Sequence, residues 1–237
     1  QSFGFASDVF ELCPSGSAAA WRPTSTENET HPRLPRATGI RDLCRPPDQA
    51  EGISNMACAA TAGYACLAWN ITDSSVLSFV HVVSAAKNQP LAFQRLEGAS
   101  EPLAKARVVG LSDRFIIIGL DSTSTDIRCS QFIPSSSETV AALATGLMVS
   151  GGTITTYAVC KVAGSDEFMI VANLNGTVTT RRYSSAGVLQ VPSGGQYSTQ
   201  TVVPTALAIE ASSSANQVNI AMVVAGEARV FSYNLST

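Results

Sequence analysis

The chain has little charge. Asp, Glu, Lys and Arg make up 14% of its 237 residues, against about a quarter in ordinary globular domains. Lysine is scarcest, with Lys87, Lys105 and Lys161 alone. A net charge of −3 leaves no global field to gather nucleic acid or an anionic membrane. His31 and His81 are the only histidines. His31 lies among prolines and His81 inside a strand-like run, so neither sits in a catalytic motif, and His81 reads as a packed or rim residue. No G-x-S-x-G and no Gly-Lys-Ser/Thr occurs, which removes the common nucleophile elbow and the phosphate loop. The cysteines at 13, 44, 58, 66, 129 and 160 form no C-x-x-C pair, so a zinc site has no signature. No apolar run approaches the roughly 18 residues of a membrane-spanning helix. The opening Gln1-Ser2-Phe3-Gly4 lacks the basic start and apolar block of a signal peptide. The missing initiator Met points to residues removed upstream or to a longer parent chain.

What is present favours sheet. Hydrophobic residues make 45% of the chain, enough to bury a core, and Ser, Thr, Ala and Val fill the place of charge. Residues 1–51 stand apart as an irregular arm. Trp21-Arg22-Pro23, His31-Pro32-Arg33-Leu34-Pro35-Arg36 and Arg45-Pro46-Pro47 fit neither helix nor sheet interior. Only residues 8–13 read as a short regular element. Arginine outnumbers lysine, and its planar fork suits protein interfaces. Trp21, Arg22, Arg33, Arg36, Arg41 and Arg45 are therefore candidate partner-docking residues. Glu27, Glu29 and Asp42 dilute the cluster, and interleaved aromatics are missing, which argues against nucleic acid.

From residue 52 onward the pattern is regular. Apolar runs such as Phe115-Ile116-Ile117-Ile118 and Phe168-Met169-Ile170-Val171 alternate with polar turns. Asn175-Gly176 is a hairpin signal, and Ala225-Gly226 marks a tight turn. A polar residue closes each second strand at Asn70, Asp121 and Asn173, spaced 51 and 52 residues apart, and Ala225 lies 52 further on. A period near 50 with four short strands per unit is the mark of a propeller blade. Continuous apolar second strands mean that both faces are covered, as between neighbouring blades. A β-sandwich is the competing architecture. The expected units are 52–101, 102–153, 154–204 and an incomplete 205–237. The open row of backbone groups after Tyr233 is a second docking candidate, supplied with its missing strand by the arm or by chain beyond residue 237.

Carboxylate pairs for glycoside hydrolysis would be Asp113 with Asp121, or Asp166 with Glu167, but each lies beside a turn that accounts for it. The triplet Asn70, Asp121 and Asn173 could ring a cation; turn roles explain it equally. Trp69 or Tyr64 could stack on sugar. Cys58 and Cys66 flank a hairpin and could face each other, although buried free thiols are the default in a chain this long. Sequons occur at Asn28, Asn70, Asn175 and Asn234.

The rhythm of residues 52–237 resembles β-propeller repeats, and its low charge and Ser/Thr/Ala-rich turns resemble the propellers of bacteriophage tail and nozzle proteins. That resemblance implies an all-β, propeller-like array of about four four-stranded blades behind an irregular arm. It also implies a non-catalytic scaffold or binding module, with other protein subunits as partners and a virion or extracellular setting. No catalytic, cofactor-binding or metal-binding residue is expected. The alternatives are a carbohydrate-binding or glycan-cleaving propeller and a secreted glycoprotein interaction module.

Overall fold

A computed structural model describes residues 53–61, 63–71, 78–84, 89–96, 98, 100–136, 139–190, 199–212 and 217–235. The arm, with Trp21, Arg22, Arg33, Arg36, Arg41 and Arg45, lies outside them. Among the described residues the regular elements are all strands. The first sheet runs β1 (Ile53–Thr61), β2 (Tyr64–Ile71), β3 (Ser78–Ser84) and β4 (Gln89–Leu96). The second holds β5 (Ala104–Gly110), β6 (Phe115–Leu120), β7 (Ile127–Phe132) and β8 (Ala141–Val149). In the third, β9 (Ile154–Lys161), β10 (Glu167–Leu174) and β11 (Thr177–Ser184) follow in order. Two short pieces, β12 (Leu189–Gln190) and β13 (Thr199–Thr201), both pair with β11. The fourth sheet has β14 (Ala206–Ala211), β15 (Gln217–Val224) and β16 (Glu227–Asn234). Every pairing is antiparallel between strands adjacent in the chain, except β13 on β11, so each sheet is a meander.

The sheets stack through their first strands: β1 packs on β5, β5 on β9 and β9 on β14. Core residues fill each gap. Val80, Val82, Leu96, Phe115, Ile117 and Phe132 sit between the first and second sheets. Ile116, Ile118, Leu120, Ile127, Phe168, Ile170 and Tyr183 sit between the second and third. The two faces of β6 thus feed two different cores, and all six of its residues are buried. Each such large side chain contributes about 1.5–3 kcal/mol through burial. The unbroken Phe-Ile-Ile-Ile run is the chemical consequence of being covered twice.

Polar groups reach across the same gaps. The Thr61 hydroxyl donates to the Leu111 carbonyl at 2.6 Å. Asn70 Nδ2 donates to the Leu103 carbonyl at 2.7 Å, and Asn70 Oδ1 accepts from Ala106 N–H at 3.0 Å. The Tyr157 hydroxyl donates to the carbonyls of Lys105 and Ile118. At Gly110 the approach is so close that a Cβ would stand 2.5 Å from the Ala60 carbonyl oxygen, so only glycine fits.

Turn chemistry follows the residues. Asn175 and Gly176 have φ of +50° and +79°, and Ala225 and Gly226 have +51° and +84°. Both pairs are two-residue turns with positive φ at each centre, the conformation that joins right-twisted antiparallel strands.

Three expectations need correction. In the register, Cys58 lies opposite Leu67, and Cys66 opposite Ala59. Cys66 thus shares a face with Ala59, and Cys58, its neighbour along β1, lies on the other face; the facing arrangement is not formed, and both thiols are free, as the default reading has it. The closing polar residues are not structurally equivalent: Asn70 and Asn173 lie inside β2 and β10, whereas Asp121 follows the end of β6. Finally, β15 resembles the other second strands in sequence, yet its burial alternates along Gln217–Val224. One face of the fourth sheet is wet.

Candidate functional site

Each carboxylate singled out in the sequence is engaged with a neighbour. Asp113 accepts from Arg114 at 2.9 and 2.8 Å, which holds its carboxyl below the usual range. Asp121 accepts from the Thr123 hydroxyl at 2.6 Å and from the N–H groups of Thr125 and Asp126 at 3.0 and 3.2 Å. Its desolvation raises the pKa, but these bonds outweigh it and the net shift is downward. Asp166 receives the Ser112 hydroxyl and, at 3.0 Å, the Ser112 N–H. Glu167 pairs with Arg182. Bonds of this kind tie turns and neighbouring sheets together, and the three aspartates are shifted downward, opposite to the raised pKa of a general acid.

The polar triplet does not converge. Asn70 bridges to the second sheet, Asp121 caps its own turn, and Asn173 is fully buried without a hydrogen-bond partner among the described residues. Among the described residues no group of three or more His, Cys, Asp or Glu could hold a metal ion. Trp69 is 1% exposed and cannot stack on a sugar from solvent, which corrects that expectation. Tyr64 packs partly buried against the core of the first two sheets. His81 is buried, as a packed residue would be. Burial pushes the Cys129 and Cys160 thiols up to about 12, with Glu210 adding to the shift at Cys160, so both stay protonated and unreactive at neutral pH. Of the sequons, Asn70 is buried with its amide engaged, Asn175 is tied to Thr153 N–H at 2.9 Å, and Asn234 is exposed on β16. Asn28 lies outside the described residues.

The accessible feature is the wet face of the fourth sheet. Register places its outward residues in rows across three strands. Ala206, Val223 and Ala228 form one row, and Ala208, Ala221 and Val230 the next. Glu210, Asn219 and Ser232 follow. Val230 is 69% exposed, and Val203 at the sheet's entry is 64% exposed. The face is therefore apolar but small-chained at one end and polar at the other. Leu207, Ile209, Ile220, Met222, Phe231 and Tyr233 point the other way, onto the third sheet. Tyr233, a docking candidate in the sequence, thus spends its ring inward, and Val230 and Ser232 are the outward residues of that strand. Sequence reading passed over these rows, although the parity of Ala-Leu-Ala-Ile-Glu-Ala in β14, small or polar against large, carries the signal. Among the described residues β16 has no strand on its outer side, whereas β3, β7 and β11 each have one.

No protein-family model matches the chain, and no curated protein sequence matches it. Solved structures do. The six-bladed β-propeller lectin of the fungus Aleuria aurantia aligns with a TM-score of 0.50 at 10% identity, over 76% of this chain and 58% of that one. A variant of that lectin bound to α-methyl-L-fucoside gives 0.50 at 9%, over 76% and 57%. An exo-β-1,3-galactanase from Phanerochaete chrysosporium gives 0.47 at 10%, over 77% and 47%. The chain spans about half the length of these proteins. At such identities the likeness concerns fold and not activity. Four antiparallel meanders stacked through their first strands, and aligned with a six-bladed ring, give this chain the β-propeller fold.

Proposed function

We propose that the chain is a non-catalytic propeller scaffold that binds another protein subunit through its fourth sheet. The observation that carries this is that, among the described residues, no strand pairs with the outer side of β16 (Glu227–Asn234) and no layer covers the Ala and Val rows of the same sheet. An open edge offers a ladder of donors and acceptors to an added strand, and a small-chained apolar face lets another layer approach closely. The engaged state of the turn carboxylates supports a role without acid–base chemistry. The wider setting in this proposal is a multi-subunit particle of the phage-tail kind, for which the support is the style of the sequence alone; labelling of intact particles with an antibody to the chain tests it. Size-exclusion chromatography with light scattering tests the docking surface. Self-association or subunit capture that is lost in Val230→Lys supports it. A well-behaved monomer, with residues 1–51 shielded from protease, counts against it.

Saccharide binding is the second reading, supported by the use of this fold in the fucoside-bound lectin. Since Trp69 is enclosed, such a site would have to use polar groups at the strand ends. A glycan array with no hit above background removes it.

A further inference from the structure

The cations of the described residues are unevenly paired. Among the described residues, Arg114, Arg128, Lys161, Arg182 and Arg229 each sit beside a carboxylate. Lys105 and Arg107, two residues apart on β5, do not, and neither does Arg181 on β11, which donates to the Met148 carbonyl at 2.8 Å. Lys105 Nζ donates to the Thr155 carbonyl at 3.0 Å. Arg107 Nη1 donates to Asn55 Oδ1 at 2.8 Å and to the Ala106 carbonyl at 3.1 Å. All three acceptors are neutral, and Nε and Nη2 of Arg107 have no partner among the described residues. The one carboxylate that β1, β5, β9 and β14 carry is Glu210, which acts on Cys160 near the far end of β9 from Thr155.

Tyr157 touches both residues, Lys105 through its backbone and Arg107 through its side chain. Its hydroxyl donates to the Lys105 carbonyl, and the Arg107 guanidinium lies over its ring with Cζ 5.9 Å from the centroid. Tyr157 is buried and Arg107 half-buried, while Lys105 is exposed. The backbone is shaped at this point. The β5–β6 register shifts between Ala104 and Arg107, and Lys105 has φ of +50°, a left-handed conformation that costs a non-glycine residue roughly 1 kcal/mol or more. A bulge re-aims the side chain it carries.

We propose that Lys105 and Arg107 form an oxyanion site where β1, β5 and β9 begin, taking the carboxylate or sulfate group of a small ligand. A guanidinium taken partly out of water, with no carboxylate beside it among the described residues, attracts an anion more strongly than one in bulk solvent. Its fork matches two oxygens of a carboxylate or sulfate, and the Lys105 ammonium adds a mobile point charge. The site does not depend on the docking role of the fourth sheet: it lies on different strands and its ligand is small.

Isothermal titration of the full chain with sodium sulfate and with sodium glucuronate, at low ionic strength, tests the site. Saturable one-to-one binding of at least one anion is expected. Loss of one charge-assisted contact should weaken it about tenfold in Lys105→Gln and at least as much in Arg107→Gln, with no change in Lys161→Gln. Equal affinity for both anions means the site reads charge, and glucuronate alone means it reads an acidic sugar; either supports it. Because Arg107 also holds Asn55, Arg107→Gln is first checked for native thermal unfolding, and the exposed-site variant Lys105→Gln decides the matter if Arg107→Gln does not fold. No saturable heat from either anion, full binding in Lys105→Gln, or equal loss in Lys161→Gln overturns the proposal.

Discussion

Asn70 Nδ2 lies 2.7 Å from the carbonyl oxygen of Leu103, so one buried amide joins two sheets by a bond to backbone. The same side chain accepts from Ala106 N–H at 3.0 Å. It thereby satisfies an acceptor and a donor of the chain that enters the second sheet, groups that are costly to bury unpaired. Asn70→Ala leaves both without a partner. Thermal or urea unfolding should show a loss of about 2–4 kcal/mol. Asn70→Asp should also lose stability, because it keeps an acceptor for Ala106 but has no donor for Leu103.

Gly110 sets the distance between the first two sheets. Its Cβ position, 2.5 Å from the Ala60 carbonyl oxygen, is closed by backbone that cannot swing away as a side chain would. Gly110→Ala should cost about 1–3 kcal/mol by overpacking. Gly164→Ala is the informative contrast. Nothing lies within 4 Å there, but φ is +73°, so any loss reports backbone strain alone. Comparing the two denaturation midpoints separates contact from conformation.

Ala225 occupies a left-handed position at φ +51°, where asparagine is better suited. The equivalent turn in the third sheet has Asn175 at φ +50°. Ala225→Asn should raise stability by up to about 1 kcal/mol, read as a higher unfolding temperature with unchanged sheet content by circular dichroism.

The Ser112–Asp166 contact joins the second sheet to the third and makes that junction sensitive to acid. The bond from the Ser112 hydroxyl, and next the Ser112 N–H, holds the Asp166 carboxyl below its ordinary value. A carboxylate whose folded pKa is depressed stabilises fully above its unfolded value, about 3.9. That contribution is lost as pH falls through the lower folded value. As pH falls from about 5 through the depressed folded value, wild-type melting temperature should fall more steeply than that of Asp166→Asn. Parallel curves would show that solvent screening cancels the bond at this exposed position.

Much of the architecture could be read from the residues because the repeat has a physical cause. Phe115-Ile116-Ile117-Ile118 is apolar without interruption because cores lie on both its faces, and Asn175-Gly176 is a turn because both φ values are positive. The exception is equally instructive. Gln-Val-Asn-Ile-Ala-Met-Val-Val at β15 is apolar at most positions like its counterparts, yet Asn219 and Ala221 lie on the wet face. Run length alone did not separate Ala from Ile. The candidate site was less legible. Lys105 and Arg107 are ordinary cations in the sequence. What distinguishes them is their closeness on one strand at a register shift against β6, together with contacts to residues some fifty positions away in the chain, Asn55 and Tyr157.

Among the described residues the fourth sheet touches the rest only through the third, by side chains such as Ile209, Ile220, Met222 and Phe231, whereas the second and third sheets are packed on both faces. Held along a single seam, the fourth sheet should loosen on warming before the two middle ones, and its departure would bare Met169 and Val171 and pass the weak margin inward.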